Sequence, residues 1–232
     1  MEVSVLAEII TLYHGSTKII DKPELGKGNP RNDYGLGFYC TQNLELAKEW
    51  ASGSRIGGFV NIYVLDVSEL AVFNLNNPES GIMEWLALLL NNRVFNIASP
   101  LAAEAKDYMI THFLPDIEMY DAVRGFRADD SYFTFATDFL NSTISLRQLR
   151  RAMELGELGE QFMIKSLKAF SLLQYIGSEP ADGDLYYAKR LKRDREARDQ
   201  YLQKERHGAR RPDDIFMLDI LREGMKRNDA RL

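Results

Sequence analysis

Asp33-Tyr34-Gly35-Leu36-Gly37-Phe38-Tyr39-Cys40-Thr41 is the stretch on which the fold turns. Two glycines one residue apart allow a tight backbone bend, and Phe38 to Thr41 then reads as a short strand whose Phe38 and Tyr39 face opposite ways. A Gly-x-Gly that opened a helix would point to a dinucleotide-binding parallel sheet. This one opens a strand-like run, so that fingerprint is excluded. An aromatic ring held beside a glycine bend suits stacking on a planar heteroaromatic group; a core tyrosine in a hairpin is the alternative.

Working outward, Gly26 to Gly37 is rich in Gly, Asn and Pro and reads as loop. Ile9 to His14 ahead of it, and Phe59 to Leu65 after it, are β-branched and aromatic runs that predict strands. The second is apolar on both alternating faces, which predicts a central, buried strand. Leu12-Tyr13-His14-Gly15-Ser16 ends the first strand in His-Gly. A histidine there can offer a ring nitrogen to a ligand hydroxyl, and glycine leaves the backbone open to close approach. A half-buried histidine before a turn is the competing reading. Thr41 or Asn43 predicts the cap of a helix carrying Leu44, Ala47 and Ala51 and ending near Gly53. Further helices are predicted around Ile82, Trp85, Leu86 and Leu89, and around Leu146, Leu149 and Met153 up to Gly156. Tyr120 to Phe126 and Gln161 to Lys165 predict strands, with Ser166 capping a helix through Leu173. Strands and helices mix without regular βαβ alternation, which favours an α+β fold over a doubly wound sheet.

Composition sets the outer bounds. The 232 residues carry 29 basic and 34 acidic side chains, a net charge of −5, and 45% hydrophobic residues, enough for a full core. A net negative charge argues against bulk duplex binding, which relies on clustered cations. The single Cys40 excludes a disulfide framework and a cysteine-based zinc site, and fits a reducing, cytoplasmic setting. No apolar run approaches the roughly 20 residues of a membrane span. Glu2 and Glu8, with no basic residue before the first apolar stretch, argue against a signal peptide, so the chain is expected to start near Met1. Composition shifts at Gly177-Ser178-Glu179-Pro180, dividing the chain into 1–177 and a charged helical extension, 178–232. Ala188 to Arg211 carries ten Lys or Arg against four Asp or Glu and reads as a solvated helix or arm. Beyond Pro212, Leu218, Leu221 and Met225 predict a short amphipathic helix. The core is expected to fold without this tail.

The pairing of Leu12-Tyr13-His14-Gly15-Ser16 with Tyr34-Gly35-Leu36-Gly37-Phe38-Tyr39-Cys40-Thr41, followed by Leu44 to Ala51, resembles the ADP-ribosyltransferase fold. The second segment looks like the Gly-x-Gly-[Ile/Phe]-Tyr signature of the poly(ADP-ribose) polymerase branch. More closely, Thr11 to Tyr175 resembles the bacterial DUF3990 family, through Glu84-Trp85, Asn92-Arg93, Tyr120-Asp121-Ala122-Val123, Ala128-Asp129-Asp130 and Gln161 to Ala169. The resemblance implies a split antiparallel sheet with helical insertions, and a chain that uses NAD as substrate. It implies that His14 bonds the adenosine ribose and that the Gly15 backbone clamps the nicotinamide carboxamide, with Ser16, Gly37 and Phe38 nearby. Tyr39 would stack on the nicotinamide ring.

The third element of that site sits at the start of a later strand and is glutamate in many members; here Gln161 stands there. Strand alternation turns the adjacent Glu160 away. Cleaving the nicotinamide–ribose bond builds oxocarbenium-like charge on the sugar, so positioning and electrostatics carry the rate, without a metal. On that chemistry a glutamate at position 161 is expected to retain or raise NAD cleavage. The implied activity is mono-ADP-ribosyl transfer to a macromolecular acceptor, protein or nucleic acid, with a toxin or anti-phage role and a small antitoxin partner as fold-level analogy. NAD glycohydrolysis and a non-catalytic NAD- or ADP-ribose-binding module are the alternatives. Asp129 and Asp130 are candidate acceptor or ribose contacts, against the commoner reading of an acidic turn. Arg93 is a pyrophosphate candidate or a surface ion-pair residue, and His112 and His207 fall outside any motif.

Overall fold

In the computed structural model, residues 8–53, 55–76, 81–128, 130–153, 155 and 159–232 are described. The elements in chain order are β1 (Ile9–Ser16), β2 (Phe38–Cys40), α1 (Leu44–Ala51), β3 (Gly58–Asp66), β4 (Val72–Asn74), α2 (Gly81–Asn92), α3 (Pro100–Phe113) and β5 (Ala122–Phe126). There follow α4 (Asp130–Leu140), α5 (Leu146–Met153), β6 (Glu160–Ile164), α6 (Leu167–Leu172), β7 (Gln174–Ala181), α7 (Gly183–Gln200) and α8 (Met217–Glu223). Gly156, where the third predicted helix was to stop, lies outside the described residues.

Two sheets form. One has the order β1-β3-β7, all antiparallel; the other has the order β2-β6-β5-β4. β3 is central, as its two-faced apolar pattern requires, with Val60, Tyr63 and Leu65 fully buried. The second sheet is mixed: β2, β6 and β5 are antiparallel, but β4 runs parallel to β5. This corrects the wholly antiparallel arrangement implied by the resemblance. The sheets meet where Tyr13 and Thr41 exchange backbone hydrogen bonds of 2.8 and 2.9 Å. Behind that seam Leu12, Cys40, Leu65, Ala122, Phe162 and Ile164 share one core.

Capping chemistry sets two of the helices. The Asn43 side chain accepts from the N–H groups of Glu45 and Leu46 and starts α1, and Ser166 accepts from Ala169 and starts α6. α2 is buried on every face from Ile82 to Leu90 and is the spine of the larger core, packed by α3 and, through Trp85 against Tyr132, by α4, with α5 against α4.

The composition shift at Gly177-Ser178 does not coincide with a break in the fold. It falls inside β7, which continues to Ala181 along β3 with a bulge at Ile62/Tyr63. Nor is Ala188 to Arg211 a purely solvated helix. α7 lies against α1 through Tyr186, which packs with Ala51, with Lys189 bonded to Glu45 at 2.9 Å, and leads into a π-helical turn, Tyr201–Arg206. Tyr201, Met217, Ile220 and Met225 all lie in the larger core. Of the expected stripe of Leu218, Leu221 and Met225, Met225 is buried and Leu221 packs on the core half-buried, while Met217 and Ile220 supply the fully buried face of α8. The first turn of α8 is closed by Asp219, whose carboxylate accepts from the Phe216 N–H at 2.9 Å.

Burying the Ile220 side chain completely means that Ile220→Ala should destabilise the protein by about 2–5 kcal/mol in denaturant titrations. Truncation after Ser178, which also cuts β7, should give an unfolded or insoluble chain. A truncated chain melting cooperatively at the full-length temperature would show that the tail is an appendage.

Candidate functional site

His14 is the third residue from the end of β1, and its ring is fixed from two directions. Its Nδ1 lies 2.7 Å from the Tyr39 carbonyl oxygen, and its ring stacks on Phe38 with centroids 4.4 Å apart. A carbonyl only accepts, so Nδ1 carries the proton and Nε2 is left with a lone pair. Burial pushes the histidine pKa below its ordinary value, against the opposing bond to Tyr39. The neutral ring is therefore poised to accept a hydrogen bond through Nε2.

Tyr39 is locked at its other end. Its hydroxyl accepts from the Tyr34 N–H at 3.0 Å and donates to the Gly35 carbonyl at 2.7 Å. That loop closes on itself because Gly35 adopts a φ of 91°, which a side-chain-bearing residue adopts only under strain. Gly15 is required for a different reason. A Cβ there would sit 2.0 Å from the Ala47 carbonyl oxygen, so the glycine admits the backbone of α1 against β1. Its openness is thus a packing requirement as well as a feature of the cleft.

The cleft has two lobes. The larger, about 720 Å³, is lined on one side by Gly37, Phe38 and Tyr39 and on the other by the loop from Lys18 to Asn29. The smaller, about 360 Å³, is lined by Gly15, Asp33, Trp50, Arg93, Arg127, Gln161 and Arg190 among others. His14, Asn32 and Tyr39 border both, and each volume lies within the roughly 300–1,000 Å³ of small-molecule sites. The rim of the smaller lobe is cationic. Arg127 lies over the Trp50 ring at 4.8 Å, and Arg190 arrives from α7. The buried indole N–H of Trp50 has no hydrogen-bond acceptor among the described residues.

Gln161, first inward residue of β6, is 4% exposed and donates through Nε2 to Asp33 Oδ2 at 2.9 Å and to the Phe126 carbonyl at 3.3 Å. The same Phe126 oxygen accepts from Trp85 Nε1 at 2.9 Å and from the Tyr34 hydroxyl. Glu160 points away, bonded to Arg124 and to Asn76 Nδ2 at 2.5 Å. Strand alternation therefore separates the two side chains in the way the sequence predicts.

Of the other expected site residues, Ser16 lines neither lobe; its hydroxyl is turned to the Lys18 backbone. Asp129 lies outside the described residues, and Asp130 opens α4. Arg93 lines the smaller lobe, and its Nη1 sits 3.8 Å from Asp33 Oδ1. His112 packs on Tyr108, and neither it nor His207 lines a lobe. Among the described residues no group of His, Cys, Asp and Glu could hold a metal ion. No described helix is long and apolar enough to cross a membrane.

Asp33 is one of the lobe residues that sequence reading missed, with Trp50, Arg127 and Arg190. It is 5% exposed, and its Oδ2 accepts from the Ala128 N–H at 3.0 Å as well as from Gln161. Burial raises its pKa, against the lowering effects of these two donors and of Arg93 and Arg127. Only its place immediately before Tyr34-Gly35 hinted at a role, since a loop carboxylate carries no periodic signal.

A family model described as "Protein of unknown function (DUF3990)" matches residues 10–175 of the chain. No curated protein and no solved structure matches it.

The raised Asp33 pKa has a definite consequence for stability. The folded carboxyl gives up its proton at a higher pH than the unfolded one, which does so near 3.8, so stability falls as pH rises from there through the folded value. Asparagine keeps the acceptor oxygen without the charge. Asp33→Asn should therefore gain stability relative to the native chain between acidic and neutral pH, measured as a difference in Tm that widens as pH rises. A difference independent of pH would show that Asp33 is not buried in its ionised form.

Proposed function

The chain belongs to the DUF3990 family, and from that premise we propose that it is an NAD-dependent mono-ADP-ribosyltransferase acting on a macromolecular target. The observation that carries this reading is the neutral His14 ring held by the Tyr39 carbonyl at the junction of a two-lobed cleft. One lobe leads along Gly37, Phe38 and the Lys18 to Asn29 loop, and the other leads to Gln161. A bent dinucleotide suits such a cleft. Its adenosine half would occupy the larger lobe with a ribose hydroxyl donating to His14 Nε2. Its nicotinamide would lie on the Tyr39 ring with the carboxamide on the Gly15 backbone.

Charge supports the same assignment. Arg93, Arg127 and Arg190 border the smaller lobe, and Lys18, Lys22 and Lys27 border the larger, so a pyrophosphate finds cations from either side. In the reaction the bond between ribose C1′ and the nicotinamide nitrogen breaks heterolytically, and its electron pair leaves with neutral nicotinamide. The acceptor atom then bonds C1′ and releases its proton to solvent. What the chain's residues contribute is orientation and a field matched to the cation that forms. The cationic rim of the smaller lobe favours an acceptor with anionic groups near the modified atom. A toxin role, with a small antitoxin covering the cleft, is a proposal from fold-level analogy.

Incubation of the purified chain with labelled NAD and cell lysate should place label in a macromolecule. Label released only as free ADP-ribose would favour glycohydrolysis. Tyr39→Ala should weaken NAD binding by about 1–3 kcal/mol in calorimetry, the scale of one stacking contact. Tyr39→Phe keeps the ring and loses only the hydroxyl bonds to the loop, so it should bind more nearly like the native chain. Equal affinity for all three would remove Tyr39 from the site.

A further inference from the structure

The smaller lobe poses a charge problem. A cation developing on ribose calls for a negative group nearby, yet Gln161 is neutral, and its amide N–H donors are taken by Asp33 and the Phe126 carbonyl. Glu160 is turned to Arg124 and Asn76 on the other face of β6. Glu49 of α1 is bound to Arg193 of α7 and does not line the lobe. Among the described residues, Asp33 is the one acidic side chain that does.

We propose that Asp33 is the carboxylate that faces the ribose in this site, and that Gln161 is a positioning residue that holds it there. The inference rests on the NAD-cleaving reading above and assigns the residue that opposes its cation.

Three features of geometry support it. The loop presenting Asp33 is tied on both sides, by the Tyr39 hydroxyl to Tyr34 and Gly35, and by Asn92 Nδ2 to the Asp33 carbonyl at 3.2 Å. Its carboxylate is asymmetric. Oδ2 is saturated by the Ala128 and Gln161 donors, whereas Oδ1 stands 3.8 Å from Arg93 Nη1, beyond hydrogen-bond distance. A purely structural role in holding Ala128 and Gln161 would be met equally well by asparagine, which accepts both bonds without burying a charge. A carboxylate in this place is explained by what its charge does.

The role is electrostatic. As the C1′ bond to nicotinamide breaks, the carboxylate form of Asp33 lowers the energy of the cation; it forms no bond and takes no proton. Gln161 fixes the direction of the carboxylate by donating to Oδ2. This reverses the expectation for position 161. A glutamate there would set a second carboxylate against Asp33 and the Phe126 carbonyl, and one of the two would be protonated or displaced.

The test measures nicotinamide release, NAD affinity by calorimetry and Tm at neutral pH for the full chain and for Asp33→Asn and Gln161→Glu. Asp33→Asn should lose on the order of 10²-fold in turnover, with NAD affinity nearly unchanged and a Tm no lower than that of the native chain. Gln161→Glu should lose about 10-fold or more at neutral pH, the scale of a modest electrostatic loss. Turnover at the native level in Asp33→Asn overturns the inference, and so does a loss matched by lowered Tm and weakened binding, which marks a structural role. Should Asp33→Asn not fold, Gln161→Glu decides alone: a fall supports the inference, and a rise makes position 161 the charged one. A native chain that neither binds NAD nor releases nicotinamide defeats the functional reading itself, and the inference with it. Loss confined to the Asp33→Asn protein cannot be mistaken for that result.

Discussion

The backbone exchange between Tyr13 and Thr41, flanked by the bond from the His14 ring to the Tyr39 carbonyl, is the constraint on which the rest of the structure depends. It joins the edge of one sheet to the edge of the other with a single bridged pair. Beyond that pair the strands diverge. The divergence opens the cleft, because β1 and β2 supply its walls without pairing along its length. A longer run of pairing would close the site, and no pairing would leave His14 without an anchor. Thr41, buried at the junction, is therefore as important to the position of His14 as any residue touching its ring.

Around this seam the polar groups that are buried come as a connected set. Phe126 offers one carbonyl to Trp85, Tyr34 and Gln161, and Gln161 passes the network to Asp33 and so to the Ala128 N–H. Each donor in this set removes a desolvation penalty that would otherwise fall on a lone buried group. Asp33 is the exception in character, since its hydrogen-bond donors go to Oδ2, while Oδ1 faces Arg93 at 3.8 Å, and burial still raises its pKa. Sites that store such an imbalance are where function and stability pull apart.

The C-terminal third shows how surface composition misleads about architecture. Lys and Arg dominate Ala188 to Arg211, yet Tyr186, Ala197 and Tyr201 turn one narrow face inward while the charges line the others. α7 in turn brings Arg190 to the cleft, so a segment outside the family match contributes to the rim of the site.

Periodicity and local chemistry sufficed for the strands around Leu12, Val60 and Phe162, the cap at Ser166, a cap for α1 narrowed to Thr41 or Asn43, the helix at Trp85, and the alternation that turns Gln161 inward and Glu160 out. These are properties of near neighbours, set by side-chain spacing of 2 or 3.6 residues and by single hydrogen bonds. Features beyond that reach include the parallel placement of β4, the pairing of β7 across the compositional boundary, the burial of Met217 and Ile220 in the larger core, and the meeting of Asp33 with Gln161 across 128 positions of chain. Each is a contact between segments far apart in sequence. Such contacts depend on which sheet edge is free and which cavity must be filled, and only the folded chain decides that.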